Sequence, residues 1–87
     1  MPTVSAHVAA ALSHHIDQVF GLMGNGNAYL LDALLRDTGA TYTAVRHEVG
    51  AVVAADAHFR VSGRIAAATT TYGAGFTNTL TALAESA

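Results

Sequence analysis

Three extended segments separated by helical ones are the feature that most constrains the fold of this chain. Residues 19–23, 41–45 and 65–71 are rich in β-branched, aromatic or small apolar side chains, as strands are. They begin about 20 or more residues apart, which is the spacing that crossover helices between parallel strands require. The sequence therefore predicts an α/β fold with a parallel sheet and flanking helices.

Helical patterns fill the remaining segments. The first helix, 3–15, repeats apolar residues every four positions, and the second begins with Asn27 as its N-cap and stops at Gly39. The third, 47–61, is crowded with Gly and Ala, so we expect it to be buried on more than one side. A last helix follows the loop 72–75, which completes the order α-β-α-β-α-β-α.

Composition excludes several classes of protein. Of the 87 residues, 52% are hydrophobic and 11% are charged, which excludes a disordered chain. A net charge of −2 with four Lys and Arg residues excludes a basic surface for nucleic acid or an anionic membrane. The absence of Cys excludes disulfides and thiolate metal sites. Because the apolar runs are too short to span a bilayer and no signal peptide is visible, a soluble, cytoplasmic protein is expected.

The chain carries more apolar residues than a domain of its size needs. Three parallel strands also make a small sheet for an α/β fold, since such sheets are covered on both faces. We therefore expect residues 1–87 to be the first three βα units of a larger domain. The alternative is a small domain that pairs with a partner through its apolar surface.

Three polar loops follow the three predicted strands. They are residues 24–27, 46–48 and 72–78. Because ligands of open parallel sheets bind at the carboxyl ends of the strands, these loops predict a binding site.

The glycines of two of these loops leave an alternative open. Gly24 and Gly26 match the first two glycines of the dinucleotide fingerprint G-x-G-x-x-G, but Tyr29 replaces the third. The later loop also starts G-x-G, with Gly73 and Gly75, and departs from the fingerprint at Asn78. Glu48 lies where that fingerprint expects a ribose-binding acid, so half of a Rossmann domain is one reading. The other interpretation is that these glycines only allow tight turns between a strand and the helix after it. No G-K-[ST] occurs, which excludes a nucleotide P-loop.

Glu48 is the candidate catalytic residue. It begins the third helix, and the helix dipole favours its ionised form there. The apolar, small-residue helix that it heads would desolvate it, which favours the neutral form and makes it a usable proton relay. The residues alone leave open which of the two effects dominates, and whether Glu48 is more than a favourable charge in a first helical turn.

The other charged residues predict less. His7, His14 and His15 have no metal-binding spacing, so no metal site is expected in this chain. His58 and Arg60 are expected at an exposed edge of the third helix. Asp56 is a candidate buried partner for an arginine, Arg46 or Arg64.

Taken together and in order, three segments resemble the start of a known family. They are 19–24, the Arg46-His47-Glu48 motif with the small-residue helix after it, and 71–78 with its G-x-G-x-T-N pattern, followed by Leu83-Ala84-Glu85. This set is similar to the opening of the thiamine diphosphate-dependent enzymes of the acetolactate synthase, pyruvate decarboxylase and benzoylformate decarboxylase type. The resemblance covers the chain from about residue 5 to residue 87.

The resemblance implies a cofactor and the residues that meet it. The chain would be the N-terminal part of a pyrimidine-binding domain, in which Glu48 hydrogen-bonds N1′ of the thiamine diphosphate aminopyrimidine and passes it a proton. The residues that would line the cofactor are Gly24, Asn25, Gly26, Tyr72, Gly73, Gly75 and Asn78. Those that would lie beside the substrate are Asn25, Asn27 and Thr71.

The resemblance also implies partners. Members of the family decarboxylate 2-oxo acids and pass the product fragment to an acceptor, as lyases or as transferases. Their active sites form between two subunits of a dimer or tetramer, and magnesium is held by a G-D-G and N-N motif that this sequence lacks. The 87-residue chain is therefore expected to be inactive alone. A non-catalytic fragment that associates with a larger subunit is the remaining alternative.

Overall fold

The computed structural model describes residues 3–86, so Met1, Pro2 and Ala87 of the predicted domain lie outside the described residues. Five helices and three strands lie along this range; they alternate up to α4, which α5 follows directly. The helices are α1 (Val4–Ser13), α2 (Ala28–Asp37), α3 (Glu48–Ser62), α4 (Ala74–Thr77) and α5 (Leu80–Ser86). The strands are β1 (Gln18–Gly21), β2 (Thr41–Ala44) and β3 (Ala67–Thr69).

The three strands form one parallel sheet in the order β2-β1-β3. In the central strand, Val19 lies opposite Tyr42 of β2 and opposite Ala67 of β3. The predicted fold class is confirmed, because the sheet is parallel and each strand is followed by a helix. The carboxyl ends of all three strands consequently meet at one edge.

Helices cover both faces of the central strand. Val19 packs with residues of α1 and α2 in the main core, whose members are Ala9, Ile16, Val19, Leu31, Ala33 and Leu34. Phe20, the next residue, points to the opposite face, as successive strand residues do. There its ring meets the His58 ring of α3, with the ring centroids 6.0 Å apart and the planes at 62°. Helix α5 packs beside α3.

The last predicted helix is broken in two. Helix α4 ends at Thr77, and α5 starts at Leu80. Between them Thr79 is buried, and its hydroxyl donates to the Phe76 carbonyl at 2.6 Å. Thr77 makes a similar bond to the Ala74 carbonyl at 3.2 Å. Such local side-chain bonds compete with the helical ladder, so a continuous helix does not form.

Two sequence predictions about α3 are wrong. Asp56 does not pair with Arg46 or Arg64; it binds Arg60 one turn later, at 3.0 Å, because residues four apart share a helix face. Arg64 pairs instead with Asp17. His58 lies against Phe20 and is half-buried, not at an exposed edge, whereas Arg60 is exposed as predicted.

Within residues 3–86, no helix combines the length and the apolar character needed to cross a membrane.

The predicted strand at 65–71 is shorter than expected, since only Ala67–Thr69 pair with β1.

Replacing Gly21 with alanine tests the close approach of β1 and β3. A Cβ at Gly21 would overlap both Cγ2 and the backbone oxygen of Thr69. Because a backbone atom cannot move aside cheaply, we expect Gly21→Ala to lower the free energy of unfolding by roughly 1–3 kcal/mol. Urea denaturation measures this loss.

Gly39→Ala is the matched control for this prediction. No atom lies within 4 Å of a Cβ built at Gly39, so its unfolding free energy should stay within about 0.5 kcal/mol of the native value. Equal stability of the two variants would contradict the close packing of β1 against β3.

Candidate functional site

The loops after β1 and β3 touch each other directly at the carboxyl edge of the sheet. The Gly26 N–H donates to Thr71 Oγ1 at 2.8 Å. A Cβ at Gly24 would lie 2.8 Å from Thr71 Cβ, and a Cβ at Gly26 would lie 2.8 Å from Tyr72 Cδ2. Neither position therefore has room for a side chain. The two glycines allow one loop to pack on the other, which accounts for them without a dinucleotide.

The buried side chain of Asn27 holds the loop after β1 in place through hydrogen bonds. It is 4% exposed, and its Oδ1 accepts the Gly24 N–H at 2.8 Å. Its Nδ2 donates to the Leu22 carbonyl at 2.9 Å and to Thr69 Oγ1 at 3.1 Å. Asn27 does occupy the N-cap position of α2, as predicted, but its side chain makes no capping bond there. It ties β1, its loop and β3 together instead.

Glu48 lies where the loop after β2 becomes α3. It is the first residue of that helix and is half-buried. The preceding residue, His47, caps the helix by accepting the Val49 N–H on Nδ1 at 3.1 Å. This cap sets the direction in which α3 starts, and so it positions the Glu48 backbone at the carboxyl edge.

The loop after β3 reaches Glu48 from the other side. Asn78 Nδ2 donates to Glu48 Oε1 at 3.1 Å, across 30 residues of sequence. A Cβ at Gly75 would lie 3.5 Å from Glu48 Oε2 and 3.0 Å from Thr71 Cγ2. The bare backbone at Gly75 therefore leaves a space beside the carboxylate that a side chain would fill.

The pKa of Glu48 lies below the ordinary value for a glutamate. The hydrogen bond from Asn78 is the largest cause, and the backbone N–H at the helix start adds to it. Partial burial opposes both, and the nearby His47 lowers the pKa a little further. Hydrogen bonding thus outweighs desolvation, which answers the question that the residues alone left open. Glu48 is an ionised carboxylate at neutral pH.

An open cleft of about 400 Å³ lies between the two glycine loops. Its walls come from the loop after β1 and from the segment that follows β3: Gly26, Thr70, Thr71, Tyr72, Gly73 and Phe76. Tyr72 is 68% exposed and Phe76 is 55% exposed, so both aromatic rings are accessible from the cleft. A cleft of this kind suits a flat, largely apolar group.

The structure sorts the predicted site residues into two groups. Gly26, Thr71, Tyr72 and Gly73 line the cleft, and Glu48, Gly75 and Asn78 form the carboxylate group beside it. Gly24 faces Thr71, and Asn25 is exposed at the tip of its loop. The roles assigned to these residues stay predictions.

Two cleft residues, Thr70 and Phe76, were not among the predicted site residues, although Phe76 lies within the predicted binding loop 72–78. The sequence signal for Phe76 was its position directly after a loop glycine. It was missed because an apolar ring at the start of a helix is easily assigned to the core side of that helix. In the part of the chain that the structure describes, no three His, Asp or Glu side chains gather as metal ligands would.

Asn27 generates a prediction about stability. Asn27→Ala removes three hydrogen bonds and leaves the Gly24 N–H without its partner, so the free energy of unfolding should fall by roughly 2–4 kcal/mol. Asn27→Asp keeps the shape but turns an oxygen toward the Leu22 carbonyl, and it should also destabilise.

The exposed neighbour supplies the control for Asn27. Asn25→Ala should change the unfolding free energy by no more than about 0.5 kcal/mol. Thermal and urea denaturation of all three variants measure these effects. A native-like Asn27→Ala protein would show that the loop is held by other contacts.

Glu48 generates a prediction about pH. Because its pKa is lower in the folded than in the unfolded chain, its contribution to stability is complete above the ordinary glutamate pKa of about 4.3. That contribution is lost as the pH falls through the folded pKa. We therefore expect the Tm difference between native protein and Glu48→Gln to be largest near neutral pH and to shrink in acid.

Differential scanning calorimetry between pH 7 and the acid range checks this pH dependence. Glu85→Gln removes an exposed carboxylate from α5 and controls for the loss of one charge. A Tm difference for Glu48→Gln that does not change with pH would contradict the hydrogen-bonded carboxylate.

Comparison with known proteins identifies what this chain is similar to. Residues 2–87 match the family model described as the thiamine pyrophosphate enzyme, N-terminal TPP binding domain. The chain is 44% identical over 78 residues to human 2-hydroxyacyl-CoA lyase 2, covering 88% of this chain and 12% of the relative. It is 36% identical over 74 residues to acetolactate synthase of Arthrospira platensis, covering 82% and 13%.

A further relative is the acetolactate synthase isozyme 3 large subunit of Escherichia coli K12. It is 35% identical over 77 residues, which cover 88% of this chain and 13% of the relative. The chain thus spans about an eighth of the length of the relatives that it matches.

Proposed function

This chain belongs to the thiamine pyrophosphate enzymes, in their N-terminal TPP binding domain, and from that premise we propose that Glu48 activates the cofactor of a thiamine diphosphate-dependent lyase or transferase. The observation that carries the proposal is the Glu48 carboxylate itself. It is ionised, half-buried and held by Asn78 at the carboxyl edge of a parallel sheet. Ligands of such sheets bind at that edge.

The residues present fit the aminopyrimidine part of the cofactor. A ring nitrogen needs one partner that can accept or donate a proton, and Glu48 supplies it. The space left by Gly75 lies beside the second carboxylate oxygen, where a Cβ would lie 3.5 Å away. The cleft between Gly26 and the two aromatic rings suits a flat ring.

Thiamine diphosphate, when bound, supplies a thiazolium carbon that can be deprotonated to attack a carbonyl group. The part of Glu48 is to hold and move one proton at N1′ of the pyrimidine. Tyr72, Gly73 and Gly26 would pack on the ring. Asn25 lies at the open end of the first loop, which suits contact with a substrate.

Asn27 and Thr71 support the site from behind. The interior contacts of Asn27 hold the first loop, and the Thr71 hydroxyl accepts the Gly26 N–H, so both keep the cleft walls together. Diphosphate and magnesium would be held by other parts of the enzyme, because no G-D-G motif occurs in this sequence.

The substrate class that we propose is a 2-oxo acid or a related 2-hydroxyacyl compound. The names of the relatives support this, since one is a 2-hydroxyacyl-CoA lyase and others are acetolactate synthases. Decarboxylation of a 2-oxo acid and transfer of the remaining fragment to a second carbonyl compound are the reactions to assay.

We also propose that residues 1–87 work within a longer enzyme and next to a second subunit. An apolar hollow of about 380 Å³ lies between α3, β3 and α5. Phe59, Ile65 and Leu83 line it and are 51%, 62% and 45% exposed. Apolar side chains of this size are normally covered, and this chain spans only 12–13% of its relatives.

Glu48→Gln in the full-length enzyme tests the proposed function. The amide cannot take up or release the proton at N1′, so we expect exchange of the thiazolium C2 proton for deuterium to slow by roughly 10²–10⁴-fold. Proton NMR after acid quench measures the exchange, and calorimetry should show that thiamine diphosphate still binds.

Two further measurements complete this test. Glu85→Gln, on the surface of α5, should exchange at the native rate. Titration with NAD should give no binding, whereas a dinucleotide domain would bind NAD and not thiamine diphosphate. Undiminished proton exchange in Glu48→Gln would refute the role proposed for this residue.

A further inference from the structure

We propose that Asn78 is a positioning residue that acts through Glu48: its side-chain amide orients the carboxylate and keeps it charged, so that a proton shared with a bound aminopyrimidine rests on the ring nitrogen. This inference rests on the function proposed for Glu48 and adds a residue to it. The sequence reasoning placed Asn78 against the cofactor. The structure places its amide against the carboxylate.

The main chain of Asn78 is hydrogen-bonded within its own turn, and its side chain makes the contact to Glu48. The residue ends α4 in a right-handed helical conformation, with φ −64° and ψ −12°. Its own N–H donates to the Ala74 carbonyl at 3.0 Å, so the main chain is already bound within the turn. The side-chain amide then reaches Glu48 Oε1 at 3.1 Å, between the loop after β3 and the start of α3.

The charge of Glu48 decides which end of the amide faces it. An ionised carboxylate only accepts hydrogen bonds, so the NH₂ group must face it and the amide oxygen must point away. A bond from N–H to a charged oxygen is about twice as strong as one between neutral groups. Protonation of Glu48 would weaken that bond, and Asn78 therefore favours the state in which the carboxyl has given its proton away.

Few other groups near Glu48 could stabilise its charged form. On α3 and the residue before it, the helix-start N–H and His47 act in the same direction but more weakly than Asn78. In the segment after β3, residues 70–78 carry no charged side chain. Gly75 faces the second oxygen, Oε2, with backbone alone. Asn78 occupies one oxygen and leaves the other for a ligand.

Two substitutions separate positioning from a merely structural role. Asn78→Ala removes the donor, while Asn78→Asp keeps the shape, removes the donor and adds a negative charge beside Glu48. If Asn78 acts through Glu48, the aspartate variant is the more impaired of the two, because like charges raise the pKa of a carboxyl. If Asn78 only fills space, the aspartate variant is native-like and the alanine variant is the impaired one.

The first readout needs no cofactor. In the cofactor-free full-length protein, the carboxyl ¹³C resonance of Glu48, assigned by its absence in Glu48→Gln, is titrated by NMR. We expect its pKa to rise from native to Asn78→Ala and again to Asn78→Asp. An unchanged Glu48 pKa in both variants would overturn the inference. A Glu48 pKa that rises in Asn78→Ala but not in Asn78→Asp would overturn it too.

The second readout is C2 proton exchange of bound thiamine diphosphate. We expect exchange to slow about tenfold in Asn78→Asp, because a like charge beside a carboxyl raises its pKa, and less in Asn78→Ala, where only the donor is lost. Circular dichroism and the Kd of thiamine diphosphate confirm that both variants fold and bind.

The outcomes separate the two proposals. If Glu48→Gln slows exchange while both Asn78 variants exchange at the native rate and leave the Glu48 pKa unchanged, the role of Asn78 is wrong and that of Glu48 stands. If Glu48→Gln itself exchanges at the native rate, the proposed function is wrong and the inference falls with it.

Discussion

The site depends on hydrogen bonds that join the end of β1 to β3 and to the segment after it. Asn27 donates to Thr69 at 3.1 Å, and Thr71 accepts from Gly26 at 2.8 Å. These bonds fix where the chain goes after β3, and that segment carries Asn78 to Glu48. They form only because Gly24 and Gly26 have no side chains, so that one loop can lie directly on the other.

Glu48 shows how a half-buried carboxylate can stay charged. Partial burial alone raises the pKa of a carboxyl, but the Asn78 amide and the backbone N–H at the helix start donate to the charged form. The result is a carboxylate with one oxygen held and the other beside the space at Gly75. That arrangement suits a residue that exchanges a proton with a ring nitrogen, because both the position and the charge are set before a ligand arrives.

Local patterns in the sequence predicted most of the fold, and the hydrogen bonds and ion pairs of polar side chains account for what they missed. Apolar periodicity located the first two helices, small residues marked the third, and β-branched, aromatic or small apolar segments at crossover spacing predicted the parallel strands. The break after Thr77 was missed because it depends on the bonds that the Thr77 and Thr79 hydroxyls donate to backbone carbonyls, which an apolar pattern does not record. The Asp56 and Arg60 pair was within reach, since the two residues are four apart on one helix.

The same division holds at the site. The three loops and Glu48 were predicted, because parallel strands bring their carboxyl ends to one edge. The inward turn of Asn27 was not, since an asparagine before a helix usually caps it. The bond between Asn78 and Glu48 spans 30 residues and depends on how the segment after β3 folds back.

The most direct measurement of the central claim is a crystal structure of the full-length enzyme with thiamine diphosphate bound. The account predicts a Glu48 carboxylate oxygen within about 2.6–3.2 Å of pyrimidine N1′ and the Asn78 amide on the other oxygen. A cofactor whose pyrimidine ring lies away from Glu48, or whose N1′ is bound by another residue, would contradict it.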